Sequence, residues 1–248
     1  MSQLMQPEAF TLRQYKHGAW HTITDVITTD AAVTVSWEGP GIVPGSCRLL
    51  GWPERLEEAA LGHVLLEQSG KEPWATTRTA TVTWQNTTLG SQHLHIALSA
   101  PQAAKPQAPP PCWKAENLLA AMQSFISTPG LWNDTGCFHR AGLYCPRQET
   151  LLFRAEDIGR HNCIDRLAGW AAMHGVGLED KVLLLSSRIT YSMCAKVLKA
   201  GLRFMVNRSA VTTGAVEQAN AANATVAGFA RHEEGRFTVF ADNPGRIL

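Results

Sequence analysis

Two short apolar runs, Val182-Leu-Leu-Leu185 and Phe204-Met-Val206, constrain the fold more than any other part of the chain. Consecutive apolar positions leave neither face of an extended segment suited to water, which is the pattern of a strand covered by helices on both sides. Each run leads through a hydroxyl-rich turn into a helical stretch: Tyr191 to Ala200, stopped by Gly201, and Ala215 to Ala222. Upstream, Thr135 to Tyr144 and Thr150 to Arg154 read as strands. Arg160 to His174 reads as a helix with Ile164, Leu167, Ala168 and Ala171 at helical spacing. Thr225 to Phe229 and Arg236 to Phe240 close the series. This alternation predicts an α/β domain over residues 114–248, with helices on both faces of one sheet.

Residues 1–99 lack the alternation and read as a smaller α+β part. Strands are expected at Ile23 to Thr28, Ala32 to Trp37, Thr79 to Trp84 and His93 to Leu98. A helix is expected from Pro53 to Gln68, with Leu56, Ala60, Leu61, Val64 and Leu65 on one stripe. His93 and His95 share a strand face, but without a third ligand nearby they read as surface rather than metal site. Residues 100–113 are Pro-rich, which excludes a regular helix or a central strand and predicts an extended linker carrying Cys112. Lys and Arg total 22 against 21 acidic residues, so there is no basic excess for nucleic acid and no charge run for a membrane surface. No apolar span is long enough to cross a bilayer, and the opening residues lack a signal peptide's regions. A cytoplasmic protein with six free cysteines is expected.

In open α/β sheets ligands bind at the carboxyl ends of strands, where helix starts present free N–H groups. Two junctions here are rich in hydroxyls: Ser186-Ser187-Arg188, and Arg208-Ser209 through Thr212-Thr213. Hydroxyls, an arginine and a helix start suit a phosphate, although serine also serves as an ordinary N-cap. A third group opens the Arg160 helix: Glu156 and Asp157 precede Gly159, and Arg160, His161 and Asn162 follow. On a helix, His161 and Asp165 share one face.

The run Glu156-Asp-Ile-Gly-Arg-His-Asn-Cys-Ile-Asp-Arg-Leu167 resembles the signature of the formate dehydrogenase accessory sulfurtransferase family, the FdhD-type proteins. Thr135-Gly-Cys-Phe-His139, Ser186-Ser-Arg-Ile-Thr-Tyr191 and Ser209-Ala-Val-Thr-Thr213 are similar to other segments of that family, in the same order. The resemblance implies a cytidine-deaminase-like three-layer fold for the second half. It implies that molybdopterin guanine dinucleotide, or its GDP portion, binds at Glu156, Asp157, Arg160, His161, Asn162, Ser186, Ser187, Arg188, Ser209, Thr212 and Thr213. A turn like the family's cofactor-contacting one adds Phe229, Arg231, Gly235 and Arg236, here lengthened by two residues. The implied activity is sulfur delivery to that cofactor for a molybdenum-dependent oxidoreductase, with a cysteine desulfurase as donor and a homodimer as the assembly. The family's relay uses two cysteines in the linker; this chain has Cys112 alone there, so Cys112 is the expected carrier. A cofactor-binding protein without sulfur chemistry is the other reading. A zinc deaminase is not expected, since Cys137-Phe-His139-Arg140 lacks the glutamate and no Cys-x-x-Cys exists; no tightly bound metal is predicted.

Overall fold

The computed structural model describes residues 8–68, 76–86, 92–103, 110 and 112–248. The opening residues, the Ser69–Gly70 segment and half of the Pro-rich linker therefore lie outside the described residues. The described residues begin with a hairpin that the sequence reading gave only in part, β1 (Glu8–Lys16) and β2 (Ala19–Ile27), turning at His17 and Gly18 with φ of 51° and 84°. Strands β3 (Ala31–Glu38) and β4 (Gly45–Gly51) follow, then helix α1 (Leu56–His63), prolonged by a π-helical turn over Val64–Gln68. The helix begins later than expected because Arg55 is in the left-handed region, φ 51°. Two-residue strands β5 (Thr76–Thr77) and β8 (Gln102–Ala103) pair with each other, so the linker's first residues are held in a ladder. Between them lie β6 (Ala80–Asn86) and β7 (Gln92–Leu98). The order β4-β3-β7-β6 makes a four-stranded sheet, and Val33, Val35, Leu94 and Ile96 bury its inner face against Leu56, Ala60, Leu61 and Val64. His93 and His95 both meet the Ser36 hydroxyl, at 2.8 and 2.9 Å.

The second part opens with α2 (Ala115–Ser127) and a short helix α3 (Leu131–Thr135), which ends on the residue where a strand had been expected to begin. Gly136 ends α3 with φ 68°, so strand β9 starts only at His139 and runs to Cys145. Then come β10 (Thr150–Asp157), α4 (Arg160–Met173), β11 (Val182–Leu185), α5 (Tyr191–Lys199) and β12 (Phe204–Asn207). Helix α6 (Thr213–Ala221), β13 (Thr225–Arg231) and β14 (Arg236–Ala241) complete it. The sheet order is β10-β9-β11-β12-β13-β14. Alternate residues of each buried strand go to opposite faces. Leu183, Leu185 and Met205 pack with Ile164, Leu167, Met193, Val197 and Ala215 of α4, α5 and α6. Val182, Leu184, Phe204 and Val206 pack with Leu118, Met122 and Phe125 of α2. The result is three layers, helix on sheet on helix.

The two parts meet along α1 and α4. A Cβ on Gly62 would stand 1.7 Å from the Asp165 carbonyl oxygen, and one on Gly169 would stand 1.9 Å from that of Glu58. Only glycine allows the two backbones to come so close. Arg166 of α4 reinforces the seam by donating to the carbonyls of Trp52 at 2.6 Å and Arg55 at 3.1 Å, and to that of Glu54. The first part is therefore seated on α4 rather than hung from the linker. Among the described residues no helix is long and apolar enough to cross a membrane.

Candidate functional site

Strand directions decide which side chains meet. Strands β11, β12 and β13 are parallel, while β9 runs against both β10 and β11, and β14 against β13. The carboxyl ends of β10 through β13 thus share one edge with the first residues of β9 and β14 and the starts of α4, α5 and α6. Every residue expected at the binding site lies on this edge except Cys112. Two of its loops are laced together: Ile189 N donates to Ala210 O and Thr212 N to Ile189 O, both at 3.1 Å. Buried Asn207 fastens the same loops from below. Its Nδ2 donates to the carbonyls of Ser187 and Ser209 at 3.0 Å and of Ala210 at 3.2 Å. Sequence reasoning passed over Asn207, although a polar residue ending an apolar run was a usable signal.

The helix starts are the next element. Gly159, Thr190 and Thr212 are the N-caps of α4, α5 and α6, and none makes a side-chain capping hydrogen bond. Serine capping, the ordinary alternative for these junctions, is thus not what the hydroxyls do. Ser186 Oγ accepts from Arg140 N at 2.9 Å, and Ser187 Oγ donates to the Arg188 carbonyl at 3.3 Å. Thr212 and Thr213 are exposed and Ser209 is half-buried. Arg188 is exposed, whereas Arg160 has a buried Nε without a partner among the described residues. Both guanidiniums act on His139, whose pKa is lowered chiefly by burial and then by Arg160 and Arg188. His161 Nε2 lies 3.0 Å from Ser192 Oγ, and its pKa is also lowered, first by burial and then by Lys196 and Arg160. The edge gathers the Arg160 and Arg188 guanidiniums and free helix-start donors around imidazoles whose pKa is held below the ordinary value, which fits a phosphate or pyrophosphate group.

The carboxylates of the motif hold the framework. Glu156 Oε1 accepts from Arg140 Nε at 2.7 Å and Oε2 from Leu131 N at 3.1 Å. Arg140 goes on to Ile126 O, Thr128 O and Asn133 Oδ1, fixing the turn between α2 and α3. Asp157 is fully buried and accepts from Arg166 Nε at 2.7 Å, Gly159 N at 2.8 Å, Asn162 Nδ2 at 2.9 Å and Trp52 N at 3.2 Å. Asn162 Nδ2 also reaches Leu50 O at 2.7 Å. Glu156, Asp157 and Asn162 are thus engaged in holding the framework of the edge.

The lengthened turn after β13 is a 3-10 turn over His232–Glu234, closed by Gly235 at φ 61°. Its glutamates occupy the arginines expected for a ligand. Glu234 meets Arg231 at 2.7 Å and Arg236 at 2.5 Å, and Glu233 pairs with Arg208. Arg231 and Arg236 also lie 5.9 and 5.8 Å from the ring of Phe229, which itself has φ 51°. These ion pairs are exposed, and such pairs are weak enough to exchange partners.

The cysteines divide by place. Cys112 is exposed, its Sγ 3.7 Å from Gly245 O, beside Arg246. Arg246 donates to Arg203 O, Asn223 O and Thr225 Oγ1, at the beginnings of β12 and β13. The expected sulfur carrier thus sits at the opposite edge from the expected binding residues. Cys137 is exposed just before β9, on the edge they occupy. Cys145, Cys163 and Cys194 are buried, and burial raises the pKa of Cys163 and lifts that of Cys194 to about 11.

Residues 54–248 match the model of the FdhD/NarQ family. A sulfur carrier protein FdhD of Halalkalibacterium halodurans is 38% identical over 133 residues, 54% of this chain and 47% of that protein. The protein of the same description from Bacillus subtilis is 37% identical over 132 residues, 53% of this chain and 48% of its own. The matched region spans about half the length of these curated relatives (47% and 48%). A crystal structure described as a formate dehydrogenase accessory protein from Desulfotalea psychrophila has the same fold. Its TM-score is 0.74 at 20% identity, over 98% of this chain and 99% of that one.

Proposed function

Because this chain belongs to the FdhD/NarQ family, we propose that it is an accessory protein for the maturation of a molybdenum-dependent oxidoreductase such as formate dehydrogenase. In this reading it binds molybdopterin guanine dinucleotide at the carboxyl edge of its large sheet. The observation that carries the reading is the juxtaposition of Arg160 and Arg188 with the starts of α4, α5 and α6, none of which has a side-chain cap. The pyrophosphate would be held by Arg188, Arg160 and first-turn N–H groups, with Ser209, Thr212 and Thr213 supplying hydroxyls. Phe229, Arg231, Gly235 and Arg236 would form the far end, once the arginines exchange their glutamates for the ligand. When bound, the cofactor supplies the metal centre that receives sulfur; the protein's part is to bind, orient and shield it. The finer likeness to cytidine deaminases, a homodimeric assembly and a cysteine desulfurase as donor belong to the same reading.

The test is calorimetric titration with GDP. The intact protein should bind it, and Arg188→Ala should weaken binding by roughly 1–3 kcal/mol, the value of charge-assisted hydrogen bonds. Absence of binding at millimolar GDP would remove the site. A carrier without sulfur chemistry is the second reading, favoured by one observation: Cys112 lies at the far edge. If Cys112→Ser supports full client maturation in cells, Cys112 is not the relay.

A further inference from the structure

The turn after β13 places two acidic side chains among arginines that would otherwise face a ligand unpaired. Strand β13 breaks its regular pairing with β14 between Gly228 and Arg231, and Phe229 sits in that irregularity. A bulge of this kind re-aims the side chains it carries. Phe229 N donates to Ser209 O at 3.0 Å, which ties the end of β13 to the loop after β12, where Arg208 stands. The 3-10 turn that follows is closed by Gly235 N donating to His232 O at 2.9 Å. Three guanidiniums meet its two carboxylates. Glu234 Oε1 accepts from Arg231 Nη1 at 2.7 Å, and its Oε2 accepts from Arg236 Nε at 2.5 Å. Glu233 Oε2 accepts from Arg208 Nη1 at 3.2 Å, and its Oε1 meets Arg208 Nη2. Each carboxylate oxygen thus has its own arginine donor, and the same guanidinium groups are suited to grip a phosphate. Hydrogen bonds from Arg208 and from Arg231 and Arg236 hold both carboxyls below the ordinary carboxylate range, so both are anions at neutral pH.

We propose that Glu233 and Glu234 are a built-in substitute for the ligand's phosphate groups, and that Arg208 joins Arg231 and Arg236 as an anion-binding residue when Glu233 gives way. The inference rests on the cofactor-binding reading and adds to it one residue and an internal competitor. The lengthening of this turn supplies the competitor, since the 3-10 turn carries both glutamates. A phosphate reaching these arginines must first dissolve ion pairs already made, so it gains only the difference between two similar interactions. Charge points the same way: the guanidiniums of Arg208, Arg231 and Arg236 face two carboxylates, which leaves one net positive charge in place of three. The hold on an anion is therefore weaker than the arginines alone would give. Both glutamates are exposed, so once displaced they are solvated by water and can retake the arginines as the ligand leaves. In the empty protein the same pairs keep three long side chains ordered, which lowers the entropy cost of binding. A protein that passes its cargo to a client needs a site of this kind, one that fills and empties.

Calorimetric titration of the full chain with GDP at low salt decides this. Glu233→Gln and Glu234→Gln should each tighten binding about threefold, and the double variant about tenfold, the size of exposed ion pairs. Glu149→Gln removes the same charge from the exposed turn between β9 and β10, at the opposite edge, and should leave the affinity unchanged. Arg208→Ala should weaken GDP binding, and in that background Glu233→Gln should no longer tighten it while Glu234→Gln still does. The affinity of the double variant should also fall more steeply with added salt, because more positive charge is left bare. Glutamine variants that bind GDP no better than the parent overturn the proposal and leave the cofactor-binding reading intact. So does a gain from Glu233→Gln that survives Arg208→Ala, or an equal gain from Glu149→Gln. No GDP binding by either the parent or the double variant overturns both.

Discussion

The two edges of the six-stranded sheet are finished in opposite ways. At the amino edge the polar groups satisfy one another. Asp242 accepts from Thr225 Oγ1 at 2.7 Å, Arg246 N at 3.0 Å and Ile247 N at 3.1 Å, while Arg246 is spent on carbonyls and a hydroxyl. At the carboxyl edge the loops are tied to each other, but among the described residues the helix starts have no side-chain caps and Arg160 Nε has no partner. The difference teaches where a ligand can gain something. An edge already saturated offers it little; an edge of unshared donors offers it much. Cys112 falls on the saturated edge because the chain leaving the linker is captured there, with Trp113 N donating to Arg246 O at 2.6 Å and Leu248 N to Trp113 O at 2.9 Å.

The contrast can be broken most severely at Asp157. Asp157→Ala would leave Arg166 buried without its charge partner, and unfolding in urea should show a loss of roughly 3–5 kcal/mol. Asp242→Ala, its counterpart at the amino edge, removes three hydrogen bonds from a partly buried site and should cost about 1–3 kcal/mol, with GDP binding unchanged. If the two losses are equal, the edges are not built differently. Gly62→Val tests the seam: a side chain forced against the Asp165 carbonyl should cost about 1–3 kcal/mol or push the helices apart. Arg246→Ala should leave GDP affinity alone while Arg188→Ala lowers it; equal effects on binding would erase the assignment of the ligand to one edge.

The smallest effect expected is a pH dependence. Burial and neighbouring cations lower the pKa of His139 and His161 from the ordinary 6.5. Above 6.5 both folded and unfolded chains hold these rings neutral. As pH falls below it, the unfolded chain takes up protons first, so the fold loses stability. His63 works the other way. Its pKa is raised to about 9, so its contribution is complete below 6.5 and is lost as pH rises through 9. Melting curves of wild type, His161→Gln and His63→Gln between about pH 5.5 and pH 9.5 would separate the two, with opposite signs.

The middle of the large sheet was legible because β11 and β12 are written as apolar runs, and helix α4 because Ile164, Leu167, Ala168 and Ala171 keep their spacing. The hydroxyl-rich junctions were legible for the same reason, since a strand end and a helix start fix where they point. What stayed hidden depends on contacts between distant segments. Nothing beside Asp157 tells that its carboxylate will hold Trp52 and Arg166, and nothing beside Gly62 tells that Asp165 is its neighbour. The His63–Asp165–Lys196 cluster draws on α1, α4 and α5, so no local motif announces it. The hairpin β1–β2 was half missed because Phe10, Tyr15 and Trp20 alternate on a ribbon exposed on both faces, where no buried face fixes the pattern.

The lacing of the two loops has a consequence for how binding registers as heat. Ile189, Asn207, Ala210 and Thr212 already hold the backbone after β11 and β12 in one arrangement. An anion bound there as proposed would find its donors assembled and need not fold a segment around itself. Ordering a disordered loop carries an entropy cost that grows with every residue immobilised. Here that cost was met when the chain folded, so association should be fast and its enthalpy little eroded. Asn207 is the residue on which this advantage turns. Without its Nδ2, the same anion would have to organise the loops itself.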